Sequence, residues 1–302
     1  MKILRKTSTY NPEDHIDPSF EGRLKLMGPG QPIGMIDGRH SKTAFVRRRE
    51  TFAKVLEEGT TKGDWISFTL QSGTSEPFFI QDKKVTSRST LAIEAGPGEI
   101  RSITPAGSLE YSFGIEVRAL NREPRLDLLG ISLPDQPKLL KIRESLRLKA
   151  IAKLELLVDV ELDDQEFNME LNDLAITLIS TTSLNDEYDG ASSRTRIVSR
   201  ASEAIRQQDP RDLTPTLIAE CAFTSVRTLE YAFKEVLEMT PKQYIDFYRI
   251  NLLRERLIAA PQIPILQLGD EVGLPHLGNL SRNYRNLYDE TPSATKKRLA
   301  KL

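Results

Sequence analysis

Apolar positions change period twice along this chain. Up to about residue 136 they fall in short runs rich in aromatic and β-branched residues: AFVRRRETF (Ala44 to Phe52), DWISFTL (Asp64 to Leu70), PFFIQ (Pro77 to Gln81), TLAIEA (Thr90 to Ala95) and LEYSFGIEV (Leu109 to Val117). Gly, Pro, Ser and Asp-Lys turns separate the runs, a rhythm that predicts a β-sandwich or barrel. After Pro137 the spacing becomes helical, with Leu139, Ile142, Leu146, Ala150, Leu154 and Leu157 in one segment and Phe167, Leu171, Leu174 and Leu178 in the next. Such stripes serve a core, a subunit interface, or both. The stretch STTSLNDEYDGASS, Ser180 to Ser193, has no apolar face and reads as a linker.

Beyond it the pattern repeats itself at a spacing of about fifty residues. Ala219, Phe223, Ser225, Leu229, Phe233, Leu237 and Pro241 frame one copy; Gly269, Gly273, Leu280, Tyr284, Tyr288 and Pro292 frame the other. Two short helices about a tight turn, with a small residue central to the first so that the second can cross closely, is the sequence form of a helix-turn-helix. Pro241 to Ala260 lies between the copies. As a helix it spans about 30 Å, close to the roughly 34 Å between successive major-groove faces of B-DNA.

Charge sharpens this picture only slightly. The 302 residues carry a net charge of −1, but from Thr195 onward sixteen Lys and Arg face thirteen Asp and Glu, giving +3, and the preceding part carries −4. That is a mildly basic C-terminal part. The 39% apolar content supports a core divided over two domains. No uncharged apolar run approaches the roughly 18 residues of a membrane span, and MKILRKTSTYNPEDH lacks a signal-peptide core. The expected location is the cytoplasm, with no membrane partner. One cysteine, Cys221, and three scattered histidines offer no zinc-ligand spacing. GxxxxGK[ST], GxSxG and GxGxxG are absent. No catalytic residue, metal or cofactor is therefore assigned, and the chain is not expected to be an enzyme. Cys221 reads as a small buried apolar residue and Trp65 as core, with an effector-pocket wall as its alternative; His15 and His40 fall in expected loops. The alternation of Arg47 and Arg49 against Arg48 reads as a solvated strand face rather than an anion site.

Side chains at the start of a recognition helix reach base edges, and those farther along meet phosphate. Arg227, Tyr231 and Lys234 lie off the face that Leu229, Phe233 and Leu237 bury; His276, Asn279, Arg282 and Asn283 surround the stripe of Leu280, Tyr284 and Leu287. Arg forks onto guanine and Asn onto adenine, each worth roughly 1–3 kcal/mol of discrimination. These seven are the candidate DNA-binding residues.

The stretches SVRTLEYAFKEVLEMTPKQYIDFYRINLLRERL (Ser225 to Leu257) and HLGNLSRNYRNLYDETPS (His276 to Ser293) resemble the tandem helix-turn-helix domain of AraC/XylS-type transcription regulators, down to the SxRxL opening and Arg249-Ile250 followed by Arg254. The β-rich half is loosely similar to the effector-binding and dimerisation domain of some members. The resemblance implies an α+β chain. Residues 1–180 would form the sensing and dimerisation domain, a cupin-like barrel or sandwich to about 136 followed by helices over 137–180. Residues 181–194 would be the linker and 195–302 the DNA-binding domain. Double-stranded DNA, a second copy of the chain and a small-molecule effector are the implied partners, with RNA polymerase as a further candidate. The sequence departs from the family at Phe223, Glu238 and Asp289, where glycine is usual, and at Gly269, where alanine is usual. Glu238, Asp289 and Gly269 are each expected to cost up to about 1 kcal/mol. The alternative is a β-barrel binding protein or enzyme whose helical tail serves as a protein-interaction module without specific DNA binding.

Overall fold

The computed structural model describes residues 8–10, 19–29, 33–73, 78–80, 83–85, 89–182 and 192–299. They divide into two compact units, the first built largely from residues 32–81 and 85–190, the second from 191–302 with 25–31 and 82–84.

Two antiparallel sheets make up the first unit. Strands β1 (Ser8–Tyr10), β3 (Gly34–His40), β4 (Ala44–Thr51), β11 (Ser108–Glu116), β6 (Trp65–Gly73), β9 (Thr90–Ala95) and β12 (Lys138–Lys141) form one sheet in that spatial order. The other runs β2 (Phe20–Leu26), β5 (Val55–Thr61), β10 (Glu99–Thr104), β7 (Phe78–Ile80) and β8 (Lys83–Val85). Two short helices, α1 (Val117–Leu120) and α2 (Pro124–Leu128), follow β11, and two long ones, α3 (Glu144–Asp159) and α4 (Asp164–Thr181), follow β12. A capping box at Asp163, whose carboxylate accepts from the Gln165 and Glu166 amides while Glu166 reaches back, starts α4.

Strand alternation places the main core outside the sandwich. On β6, Ile66, Phe68 and Leu70 join Val46, Phe113, Leu91 and Ile93 on the face that packs against Leu154, Leu157, Leu171 and Leu178 of α3 and α4. The next residues along, Ser67, Thr69 and Gln71, point into the space between the sheets, as do Arg47, Arg49, Glu110 and Ser112. Polar side chains dominate the wall of the cavity there, together with Ile36, Phe78 and Ile80, and Phe78, Ile80, Val85, Ala92 and Leu139 form an apolar cluster. Arg49, expected on a solvated face, is instead paired with Glu57 and Glu110 between the sheets. The sequence pattern shows alternation but not which face a second layer covers.

Two further expectations are corrected. Helical structure from 137 gives way at Lys138–Lys141 to an edge strand paired with β9, because four residues are too few to distinguish the two periods. His40 closes β3 rather than lying in a loop, pairing with Phe45; His15 lies outside the described residues, as does most of the expected linker. Trp65 is buried against Phe45, with ring centroids 5.7 Å apart, and Cys221 is only partly buried.

The second unit is helical: α5 (Ser193–Gln207), α6 (Pro215–Cys221), α7 (Val226–Leu237), α8 (Pro241–Ala259), α9 (Ile265–Glu271), α10 (Leu277–Tyr288) and α11 (Pro292–Leu299). Helices α6 and α7 form one expected helix-turn-helix and α9 and α10 the other, with α8 the connecting rod. Thr214, Ser225 and Thr240 cap α6, α7 and α8 through their hydroxyls. Among the described helices none is long and apolar enough to cross a membrane.

Candidate nucleic-acid interface

Each recognition helix buries one stripe and leaves the opposite face to solvent. On α7 the buried stripe is Leu229, Ala232, Phe233, Val236 and Leu237, with the Phe233 ring edge-on to Tyr244 of α8. On α10 it is Leu280, Tyr284, Leu287 and Tyr288. The small residues at the helix crossings have a steric reason. A Cβ on Gly269 would lie 2.5 Å from Leu280 Cδ1 and 2.9 Å from the Leu274 carbonyl oxygen. Glycine is thus matched to this crossing, where close packing opposes the helix propensity that favours alanine.

Arg227, Tyr231, Lys234, His276, Asn279 and Arg282 are all exposed, on the faces the sequence assigns them. The Arg227 guanidinium lies over the Tyr231 ring, 5.7 Å from its centroid, and Arg282 donates to Asn279 Oδ1 at 3.1 Å. Both arginines are thereby pre-oriented by a neighbour one turn away. Asn283 differs: it is half-buried and lines a cleft beside Asp246, Phe247 and Ile250 of α8. Burial holds the Asp246 carboxyl above the ordinary range. The two helix starts also differ. Ser225 Oγ accepts from the Thr228 amide, whereas His276 makes no side-chain cap, so the first-turn amides of α10 have no competing side-chain acceptor for a phosphate.

Two arginines that periodicity and charge offer no reason to single out fix these helices in place. Arg249 of α8 donates to the carbonyl oxygens of Pro210 at 2.8 Å and Leu213 at 3.1 Å, in the loop that precedes α6. The turn of the second module packs on the same group: a Cβ on Gly273, whose φ is +77°, would lie 2.8 Å from Arg249 Nε. Arg254, 2% exposed, donates to Tyr284 and Glu290 and stands over the Tyr288 ring at 4.2 Å. Tyr288 in turn donates to Asn251 Oδ1 at 2.7 Å. Only the Arg249-Ile250 and Arg254 resemblance signalled them in the sequence.

The backbone departures are where the sequence locates them. Phe223, Glu238 and Asp289 have φ of 54°, 59° and 53°, the left-handed region in which a Cβ is disfavoured. Phe223 is also 84% exposed at the turn of the first module.

Residues 218–298 match the family model of a helix-turn-helix domain. XylDLEGF operon transcriptional activator 1 of Pseudomonas putida is 30% identical over 101 residues, 33% of this chain and 30% of that protein. Activator 3 of the same operon is 28% identical over 123 residues, 40% of this chain and 36% of that protein. The chain therefore spans about a third of the length of these curated relatives. Among solved structures, the AraC-like transcriptional activator CuxR aligns over 84% of this chain and 91% of its own at 11% identity, with a TM-score of 0.37. ToxT from Vibrio cholerae with an unsaturated fatty acid bound aligns over 95% and 98% at 12% identity, with a TM-score of 0.34. Within the second unit, residues 218–298 are a helix-turn-helix domain.

Proposed function

We propose that this chain is a sequence-specific DNA-binding transcription regulator whose α7 and α10 enter successive major grooves. The observation that carries the reading is the pair of recognition helices, each buried on one face and polar on the other, both docked on one 19-residue helix about 28 Å long, α7 at Tyr244 and α10 at Asn251 and Arg254. Arg227, Tyr231, Lys234, His276, Asn279 and Arg282 are the proposed contacts, with Asn283 reaching the DNA only from the margin of its cleft. Residues 1–180 are assigned to sensing and pairing, 181–194 to the connection and 195–302 to reading DNA.

The rest of the assignment follows from that role. The protein acts in the cytoplasm, with RNA polymerase as a further partner. It pairs with a second copy through α3 and α4, where Leu148, Leu156 and Met169 are each more than half exposed; apolar area of that kind on helices is suited to a subunit contact. A small-molecule effector binds the first unit, between its sheets.

Selection from a random duplex library by the full chain at two salt concentrations tests the reading. The expected result is a motif of two blocks about one helical turn apart, with retention that falls steeply as salt rises. Retention of no sequence above background by the folded protein would overturn it.

A further inference from the structure

Helices α8 and α10 are clamped together where Arg254 donates to Tyr284 and Tyr288 donates to Asn251. Next to that clamp the same two helices leave a cleft of about 520 Å³, within the roughly 300–1,000 Å³ of small-molecule sites. Residues about one turn apart supply both walls: Asp246, Phe247 and Ile250 from α8, and Asn283, Asn286 and Leu287 from α10. Because the clamp fixes the two helices, the space between them is preformed.

The wall is mostly apolar and carries a single charge. Phe247, Ile250 and Leu287 supply hydrocarbon, and Asp246 is the one charged residue on the wall among the described residues. Asp246 is half-buried, and its carboxyl makes no hydrogen bond or ion pair with any described residue. Lys242 and Arg249 act on it only at a distance, and the Arg249 guanidinium is engaged by the carbonyls of Pro210 and Leu213. Burial disfavours the charged form of this carboxyl, a cost that a cation seated beside it would remove. The side-chain amides of Asn283 and Asn286 are likewise without a hydrogen-bond partner among the described residues.

We infer that this cleft binds a small organic amine, with its cationic nitrogen against Asp246 and the Asn283 amide oxygen and its hydrocarbon body on Phe247, Ile250 and Leu287. An alkylammonium has only donors, and the cleft offers it a carboxylate and amide oxygens as acceptors. Hydrogen bonds to an ionised group are roughly twice as strong as neutral ones. A carboxylate ligand would meet Asp246 with like charge and find no cation on the wall among the described residues. An alcohol would cover the hydrocarbon but leave the Asp246 charge uncompensated. The cleft belongs to the helical unit and not to the sandwich, and amine binding requires no DNA.

Calorimetric titration of the full chain at neutral pH tests this, with hexylamine and phenethylamine set against hexanol, hexanoate and methylamine. Saturable binding of at least one of the two larger amines is expected, with the other three compounds clearly weaker. Asp246→Asn should weaken that binding about tenfold or more, the contribution of one hydrogen bond to a charged group, and Asn283→Leu should weaken it by a smaller factor. Removing a half-buried charge should leave Asp246→Asn folded, which circular dichroism checks; if it does not fold, Asn283→Leu decides. No binding of either larger amine, binding of hexanol or hexanoate as tight as that of the amines, or amine binding indifferent to the substitutions in folded protein would each overturn the inference.

Discussion

Arg254 Nη1 donates to the Tyr284 hydroxyl at 3.0 Å, tying the buried face of the second recognition helix to the rod that joins the two modules. The same guanidinium meets Glu290 at 2.9 Å and covers the Tyr288 ring. A planar fork can bond and stack at once, as a lysine cannot. Arg254→Ala should lower stability by about 2–4 kcal/mol, since it strands buried partners, and should erase the DNA block read by α10 before the one read by α7. Urea unfolding combined with library selection measures both. Loss of both blocks together in folded protein would show that Arg254 does not act through α10 in particular.

Glu290 makes part of this network sensitive to acid. Burial alone would push its carboxyl up, but hydrogen bonds from Thr295, Arg254 and Arg298 hold it below the ordinary glutamate value. A folded-state pKa below the unfolded one stabilises the fold fully above the unfolded value, and that contribution is lost as pH falls through the folded value. The stability difference between the native chain and Glu290→Gln should therefore shrink as pH drops from about 6 to about 3. A difference that is constant with pH would contradict the assignment.

Phe223 offers a gain. Its ring is largely exposed and its φ is 54°, so Phe223→Gly should stabilise the helical unit by up to about 1 kcal/mol, less the entropy glycine adds to the unfolded chain. A clear loss of stability in urea would mean that the ring has a structural partner.

Gly269→Ala separates helix propensity from packing. Propensity favours alanine by about 1 kcal/mol, whereas the contacts with Leu280 Cδ1 and the Leu274 carbonyl oxygen predict a loss of about 1–3 kcal/mol from overpacking. The close approach should win, because one of the two blocking atoms is backbone. A higher urea midpoint for the variant would refute this.

At the DNA, Arg282→Ala should reduce affinity for the selected motif by about 1–3 kcal/mol and relax one base position, with the fold retained. Lys234→Ala should weaken all sequences alike and lower the salt slope by about 1. Unchanged affinity in Arg282→Ala with a native circular dichroism spectrum would remove Arg282 from the interface.

The sequence by itself located the two helix-turn-helix repeats and the helix between them, though not α5 or α11. Leu229, Phe233 and Leu237, and Leu280, Tyr284 and Tyr288, recur at the helical period because each recognition helix buries one stripe locally, and the left-handed positions follow from where the turns must close. It also marked five strands of the first unit where aromatic and β-branched residues are dense. It did not mark β5, β10 or β12, whose residues VLEEGTT, EIRSIT and KLLK are polar or too short to show a period. Only tertiary structure decided which face of the large sheet is core. Alternation assigns Ser67, Thr69 and Gln71 to one side and Ile66, Phe68 and Leu70 to the other, but two helices from later in the chain cover the apolar side, and that turns Arg49 inward. Arg249 and Arg254 likewise became structural only when their partners, distant in sequence, were brought beside them.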